Sequence, residues 1–325
     1  VAVTVLARRS MSVGLVLAVV SAVAFGSSGA FAKGLLDAGW TPGAAVVWRV
    51  GLASLLLAGP TAVALRGRWH LLRTGWRPIA AFGVVAVAMC QVAYFQAVQY
   101  VSVGVALLLE YLGVVLVVGW LWLRHGTKPR PLSIAGGVLA LLGLVGVLDL
   151  VGGGTVHPIG VVCGLLAAVG LATYFVVSAD QRAGLPPVAL AGAGMVLATL
   201  VLLLAGAVGL LEMRMTTLPV DLAGRTLPWW VPVVGLGLIS TAVAYGLGIA
   251  ATRVLGSKLA SFVGLTEVLS AVLIAWLLLD QVPRPVQLVG GVLILLGVAA
   301  VKLDERAPVP EPVEEVVRQG DLTPG

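Results

Sequence analysis

Ten apolar runs separated by short polar connections occupy most of the chain, and they leave few ways to fold it. A run of about 20 residues, rising 1.5 Å per residue, crosses about 30 Å of hydrocarbon. Lipid offers the backbone no hydrogen-bond partners, so each run is expected as a helix. Broken at charges, prolines and turn residues, the runs lie at 12–32, 43–65, 78–99, 101–123, 132–150, 158–179, 187–210, 229–251, 255–279 and 286–302. Composition agrees: 60% of residues are hydrophobic and 10% charged, with mean hydropathy +1.09, where a globular chain carries about 25% charged residues. The expected fold is therefore all-α, a polytopic membrane protein with ten transmembrane helices. A formal charge of +6 would suit nucleic acid, but Lys and Arg stand singly or in short loop groups, where they set topology.

The chain is also duplicated. Pro129 to Gly143 reads PRPLSIAGGVLALLG and Pro283 to Gly297 reads PRPVQLVGGVLILLG, identical at about two-thirds of positions. Each copy has five spans, an odd number, so the second must enter the membrane from the opposite side as an inverted repeat. The charges fit this arrangement with both termini cytoplasmic. Cytoplasmic segments hold Arg8, Arg9, Arg66, Arg68, Arg73, Arg77, Arg124, Lys128, Arg130, Arg182, Arg253, Lys258, Lys302, Arg306 and Arg318, and outer segments hold Lys33, Arg214, Arg225 and Arg284. The expected organisation is an N-terminal cytoplasmic segment 1–11, repeats at 12–150 and 158–302, and a disordered proline-rich cytoplasmic tail at 303–325. Glu212 to Pro228 is expected as an outer loop.

Two features near the start admit other readings. Arg8-Arg9, an apolar core and Ala30-Phe31-Ala32 resemble a signal peptide with its cleavage site. The chain begins at Val1, so translation from Met11 is the alternative start, with the first ten residues not structural. Cys90 and Cys163 both lie within apolar runs and read as small buried hydrophobes, without a disulfide framework or a thiolate metal site.

Thr266-Glu267-Val268, Ala275-Trp276-Leu277, Gln287 and Gly290-Gly291 resemble the end of an EamA domain of the drug/metabolite transporter superfamily. The resemblance runs over both halves, from about 12 to 302, and is clearest in spans four, five, nine and ten. Val268 and Gly113 stand where that family usually has proline, and Asp280 where it often has glutamate. The resemblance implies a ten-span inner-membrane carrier, often an exporter of amino acids or other small metabolites. It also implies an arginine near the Arg49 position.

Within the spans a few polar residues stand out. Arg49 reads either as a guanidinium snorkelling to the interface or as a fork that anchors a substrate carboxylate. Trp48 beside it reads equally as substrate-binding or interfacial. Glu110 is expected as a proton-coupling carboxylate or as the ion partner of Arg49. Glu267, in the matching span of the other half, is expected as a second coupling carboxylate or as the partner of Lys258 or Arg253. Gln91, Tyr94 and Phe95 recur at i, i+3 and i+4 and share one helix face, suited to a polar cavity or to interhelical hydrogen bonds. Tyr174 and Tyr245 are further candidates for that cavity. Gly136, Gly137, Gly143, Gly290, Gly291 and Gly297 read as close helix packing. His70, His125 and His157 fall in loops or at span ends, and neither metal-ligand spacing nor a phosphate loop is present in the sequence.

The expected function is a secondary transporter of small polar or amphiphilic metabolites, amino-acid-like or drug-like, working by alternating access, with efflux and proton coupling as finer expectations. Its partners are a small-molecule substrate and the lipid bilayer, with no cofactor, no metal and no nucleic acid. The expected place is the inner membrane of a bacterium. A lipid flippase on the same scaffold is the alternative. A membrane-embedded enzyme, which would need catalytic Ser, His, Asp or Cys groups converging at one depth, is disfavoured because the histidines are peripheral and Asp is absent from the span interiors.

Overall fold

A computed structural model of the chain describes residues 2–100, 103–126, 129–147, 157–222, 224–279 and 284–304. Of the tail expected at 303–325, Leu303 and Asp304 belong to the last helix and the rest lies outside these residues. Helix α1 (Ala2–Gly26) is followed across Ser27 by α2 (Ser28–Asp37), so the first apolar run is helical from Ala2 and carries a break. Pro42 supplies a first-turn residue with no N–H to leave unpaired, and α3 (Pro42–Ala64) starts there. Two short helices, α4 (His70–Thr74) and α5 (Trp76–Ala80), lead into a π-helical stretch, Ala81–Met89, and then α6 (Cys90–Tyr100).

The expected fourth span is two helices, α7 (Val103–Tyr111) and α8 (Gly113–His125), interrupted at Leu112. Helix α9 (Pro131–Val147) completes the first half, and α10 (Pro158–Ala179) and α11 (Pro187–Ala207) open the second. Both of the latter begin on proline, as α3 does. The second half then repeats the peculiarities of the first. A short helix, α12 (Trp230–Val234), enters a π-helical stretch, Gly235–Val243, and α13 (Ala244–Gly264) continues it. Next come α14 (Thr266–Leu279), offset from α13 at Leu265, and α15 (Pro285–Asp304). Within α13 the backbone turns at Gly256, with φ 78 and ψ 161, so the expected eighth and ninth runs are joined through one residue rather than a loop.

Six helices among the described residues are long and apolar enough to cross a membrane: Met11–Asp37, Pro42–Ala64, Trp76–Ala97, Pro158–Ala179, Pro187–Ala207 and Trp230–Gly264. Pro131–Gly146 and Leu288–Val301 are shorter apolar helices. The ten runs read from the sequence thus correspond to fewer uninterrupted helices, because the fourth and ninth are split and the eighth runs on into the ninth.

Packing partners exchange between the halves. Helix α3 packs on α11, and α9 on α15. Helix α1 packs on α13 and α14, and in the same way α10 packs on α6, α7 and α8. The α9/α15 crossing is set by the repeated glycines. A Cβ on Gly136 would stand 2.7 Å from the Gly297 carbonyl oxygen, and one on Gly143 would stand 2.5 Å from that of Gly290. The backbones touch because the side chains are missing, which is the packing role expected of these glycines. Leu55, Val63, Leu123, Leu142, Leu204 and Leu295 point outward, as apolar side chains do when the solvent at that depth is lipid.

The all-α expectation needs one correction. In the expected outer loop, β1 (Val220–Leu222) and β2 (Arg225–Leu227) form an antiparallel hairpin, with Val220 opposite Leu227. Gly224, at φ 66, is part of the turn between them. Val220 is buried with Leu35, Trp40 and Leu236 in a small apolar cluster. Polar bonds hold the preceding loop down as well. Thr41 Oγ1 donates to the Glu212 carbonyl at 2.7 Å, and Trp40 Nε1 donates to the Thr216 carbonyl at 2.9 Å. Ala30, Phe31 and Ala32, read above as a possible cleavage site, belong to α2, where Phe31 packs against Gly235.

Candidate functional site

A cavity of about 670 Å³ lies between the two halves, lined by residues from α1, α2, α3, α6, α7, α10, α13 and α14. Its volume is in the range of small-molecule sites, about 300–1,000 Å³. Leu36, Asp37 and Pro42 line it at the end where α2 turns into α3. Deeper in, six of the residues singled out from the sequence for binding or coupling come together on its wall: Arg49, Gln91, Tyr94, Glu110, Tyr245 and Glu267.

Arg49 is 5% exposed, so it does not snorkel. Its Nε donates to Thr241 Oγ1 at 3.1 Å, and one terminal nitrogen donates to Ser28 Oγ at 3.2 Å and to Gln91 Oε1 at 3.4 Å. The other donates to the Ser240 carbonyl at 3.3 Å. The π-helical stretch Gly235–Val243 provides two of these acceptors. Thr241 Oγ1 in turn donates to the Leu236 carbonyl at 2.7 Å, five residues back, so the hydroxyl caps a carbonyl of the widened turn while facing the guanidinium. Such single stretches of i→i+5 helix are uncommon and recur at functional sites. The guanidinium thereby ties α2, α3, α6 and the π-helical stretch into one unit.

Gln91 is oriented at both ends, because its Nε2 donates to the Tyr245 hydroxyl at 3.5 Å. One helical turn away on the same face, Tyr94 and Phe95 also line the cavity, with ring centroids 5.7 Å apart. Across from them, Phe25 meets Tyr245 edge-on at 4.8 Å, and Tyr174 meets Tyr245 at 5.5 Å and Phe175 at 4.9 Å. The rings of Phe25, Tyr94, Phe95, Tyr111, Tyr174, Phe175 and Tyr245 therefore stand on a cavity wall otherwise made mostly of small and apolar residues.

Neither carboxylate is an ion partner of Arg49 at contact distance. Glu110, near the end of α7, receives the Cys90 thiol at 3.5 Å, and that thiol also faces the Ala167 carbonyl at 3.4 Å. Glu267 lies in the first turn of α14, where unpaired backbone N–H groups favour negative charge. Its hydrogen-bond partner is the Tyr111 hydroxyl. Both carboxylates nonetheless feel the Arg49 charge, and Glu110 feels Glu267. The cations closest to Glu267 in sequence turn elsewhere: Arg253 donates to the Leu185 carbonyl, and Lys258 donates to Ser133 Oγ at 2.6 Å.

Trp48 sits away from the cavity. One residue around the helix from Arg49, it is 41% exposed and meets Trp40 at 6.4 Å and Trp229 at 6.3 Å, a cluster of the kind found at membrane interfaces. Sequence reasoning passed over Ser28, Ser240, Thr241, Tyr111 and Cys90 as site residues. The Ser240-Thr241 pair inside an otherwise apolar run was the available signal for two of them. Cys90, read as a small hydrophobe, is buried and uses its thiol as a donor.

Comparison with known proteins agrees with this architecture. Residues 12–149 and 158–303 each match the profile described as EamA-like transporter family. Solved structures also match, and one described as "Crystal structure of protein" superposes with a TM-score of 0.72 at 20% identity. That match covers 90% of this chain and 97% of the other, and it shows a common fold. No functionally curated protein matches the sequence.

Proposed function

The chain belongs to the EamA-like transporter family, and from that premise we propose that it is a secondary carrier which exports a small polar or amphiphilic solute across the inner membrane of a bacterium. Members of this family are transporters rather than enzymes, and the apolar helices make the chain a multi-pass membrane protein. In this reading the ten apolar runs are ten spans arranged as a five-plus-five inverted repeat, with both termini cytoplasmic. The exchange of packing partners between the halves supports the repeat, and the distribution of Lys and Arg supports its orientation.

The observation that carries the proposal is the cavity itself. It is walled by both repeats, and a guanidinium, three carboxylates (Asp37 at the α2/α3 end, Glu110 and Glu267) and several tyrosines line it. Ionisable side chains within membrane segments are costly and commonly mark a solute or ion path. The polar groups favour a solute with hydrogen-bonding capacity over a lipid tail, which supports the carrier over the flippase. Gln91, Tyr94 and Tyr245 contact the solute, and Arg49 holds Gln91 in place. Glu110 and Glu267 couple its movement to protons. Alternating access follows if the repeats rock about this site, opening it first to one side and then to the other.

Proteoliposomes containing the purified protein, loaded with a panel of small metabolites and exposed to an imposed pH gradient, test the proposal. Flux of at least one solute, accelerated by the gradient, is the expected result. Absence of flux for every solute under every gradient would refute it.

A further inference from the structure

We infer that the solute accepted by this cavity is an amphiphilic organic cation, an ammonium-type group carried on an aromatic or branched apolar body. This rests on the carrier reading above and specifies the class of its substrate. The argument starts from what Arg49 has left to offer. A guanidinium has five N–H donors, and four are engaged by Thr241, Ser28, Gln91 and the Ser240 carbonyl. A carboxylate is held well by an arginine through two parallel donors, and here it would have to displace at least one internal partner to find them. It would also have to settle in a cavity lined by three carboxylates, Asp37, Glu110 and Glu267, and like charges brought together at low dielectric repel strongly.

Glu110 and Glu267 are in the opposite position. Each has about four lone-pair sites. Among the described residues, Glu110 receives a single weak donor, the Cys90 thiol, and Glu267 a single hydroxyl, that of Tyr111. Both face the cavity. A carboxylate at membrane depth finds cations or donors to compensate it, and here the unfilled acceptor capacity points inward, to the place a solute would occupy. Rings of Phe25, Tyr94, Phe95, Tyr174 and Tyr245 surround that place. Aromatic faces attract cations as well as apolar bodies. A zwitterion gains less than a cation here, because its ammonium finds the carboxylates while its own carboxylate meets a guanidinium with one donor free.

A matched series tests the inference: phenethylammonium, 2-phenylethanol, 3-phenylpropanoate and phenylalanine, each titrated calorimetrically against the purified full-length protein in detergent. Phenethylammonium is expected to bind roughly 10- to 100-fold more tightly than 2-phenylethanol, the value of one or two charge-assisted hydrogen bonds. The propanoate and phenylalanine should bind more weakly than the amine. Glu267→Gln and Glu110→Gln should each erase most of the preference for the amine over the alcohol, with size-exclusion profiles confirming that the variants remain folded. The wild-type series decides the question without either variant. Equal binding of all four, tighter binding of the propanoate or phenylalanine, or no binding of the amine overturns the inference. Flux in proteoliposomes separates this from the carrier reading: transport of neutral or acidic solutes alone removes the cation and keeps the carrier, whereas no flux at all removes both.

Discussion

Gly143→Ala should weaken the α9/α15 crossing by about 1–2 kcal/mol. The new Cβ would stand 2.5 Å from the Gly290 carbonyl oxygen, 2.7 Å from the Ile294 backbone nitrogen and 2.9 Å from Ile294 Cγ1. Ordinary contact begins near 3.4 Å, so α15 must retreat by about 0.9 Å, the difference between 2.5 and 3.4 Å. A gap of that size forfeits about a quarter to a half of each affected dispersion contact. Overpacking of this kind costs about 1–3 kcal/mol. Against it stands the gain from replacing a helical glycine by alanine, about 0.5–1 kcal/mol. Gly119→Ala isolates that gain, because Gly119 lies in α8 with no other atom within 4 Å of its added Cβ. The gain is common to both, so the two variants should differ by the overpacking cost alone, about 1–3 kcal/mol. Titration with sodium dodecyl sulfate in mixed micelles, followed by tryptophan fluorescence, measures the difference. If Gly143→Ala unfolds at the same detergent fraction as Gly119→Ala or a higher one, the close-contact reasoning fails.

Other outcomes follow from the site and its supports. Gly256→Ala should destabilise by about 1–3 kcal/mol, because φ 78 and ψ 161 lie in a region that is essentially glycine's own; the same micelle titration measures it. Arg49→Lys should lower the thermal midpoint, because a compact ammonium cannot reach Thr241, Ser28, Gln91 and Ser240 together. Each buried acceptor left unpaired costs about 1–3 kcal/mol. Tyr245→Phe removes a 3.5 Å bond to Gln91 and should cost under about 1 kcal/mol while raising the KM for solute more than it lowers kcat. If Glu110 and Glu267 carry protons, Glu110→Gln and Glu267→Gln should each leave solute flux insensitive to an imposed pH gradient; gradient-driven flux that persists in both would disprove that role.

The parts of the molecule legible in the sequence are those set by period and by composition. Apolar runs and prolines located α3, α10 and α11 to within a few residues. The repeated glycines were legible as close helix packing, because a missing side chain has one main use between helices in lipid, and Gly136, Gly143, Gly290 and Gly297 lie in the α9/α15 contact, though the sequence did not say which helices would meet. The i, i+3, i+4 spacing of Gln91, Tyr94 and Phe95 placed them together on the cavity wall. The interruptions at Ser27, Leu112 and Leu265 were not legible. None of the three is itself a proline or glycine; each adjoins a glycine, Gly26, Gly113 or Gly264, but in a chain with 42 glycines that neighbour does not single out a break, and tertiary packing decides where the helix is interrupted. The π-helical stretches are hidden for a similar reason, since an extra residue per turn leaves the apolar pattern unbroken in runs that are apolar on every side. Trp48 shows a different limit. It adjoins Arg49 in sequence, but a step of about 100° around the helix turns it to another face, and adjacency in the chain misleads where angular position decides. The partners of Arg49 on the π-helical stretch lie 191 and 192 residues away, beyond any local rule.

The one-residue junction at Gly256 has a practical corollary for mapping which side of the bilayer each segment faces. A connection without spare length has nowhere to accommodate an inserted epitope or protease site, and a tag placed there would push apart Leu255 and Ser257, both buried. Reporter insertions are better aimed at the exposed turn around Gln181 and Arg182 or at the stretch around Leu218. A failed insertion at Gly256 should accordingly be scored as a folding defect rather than as information about orientation.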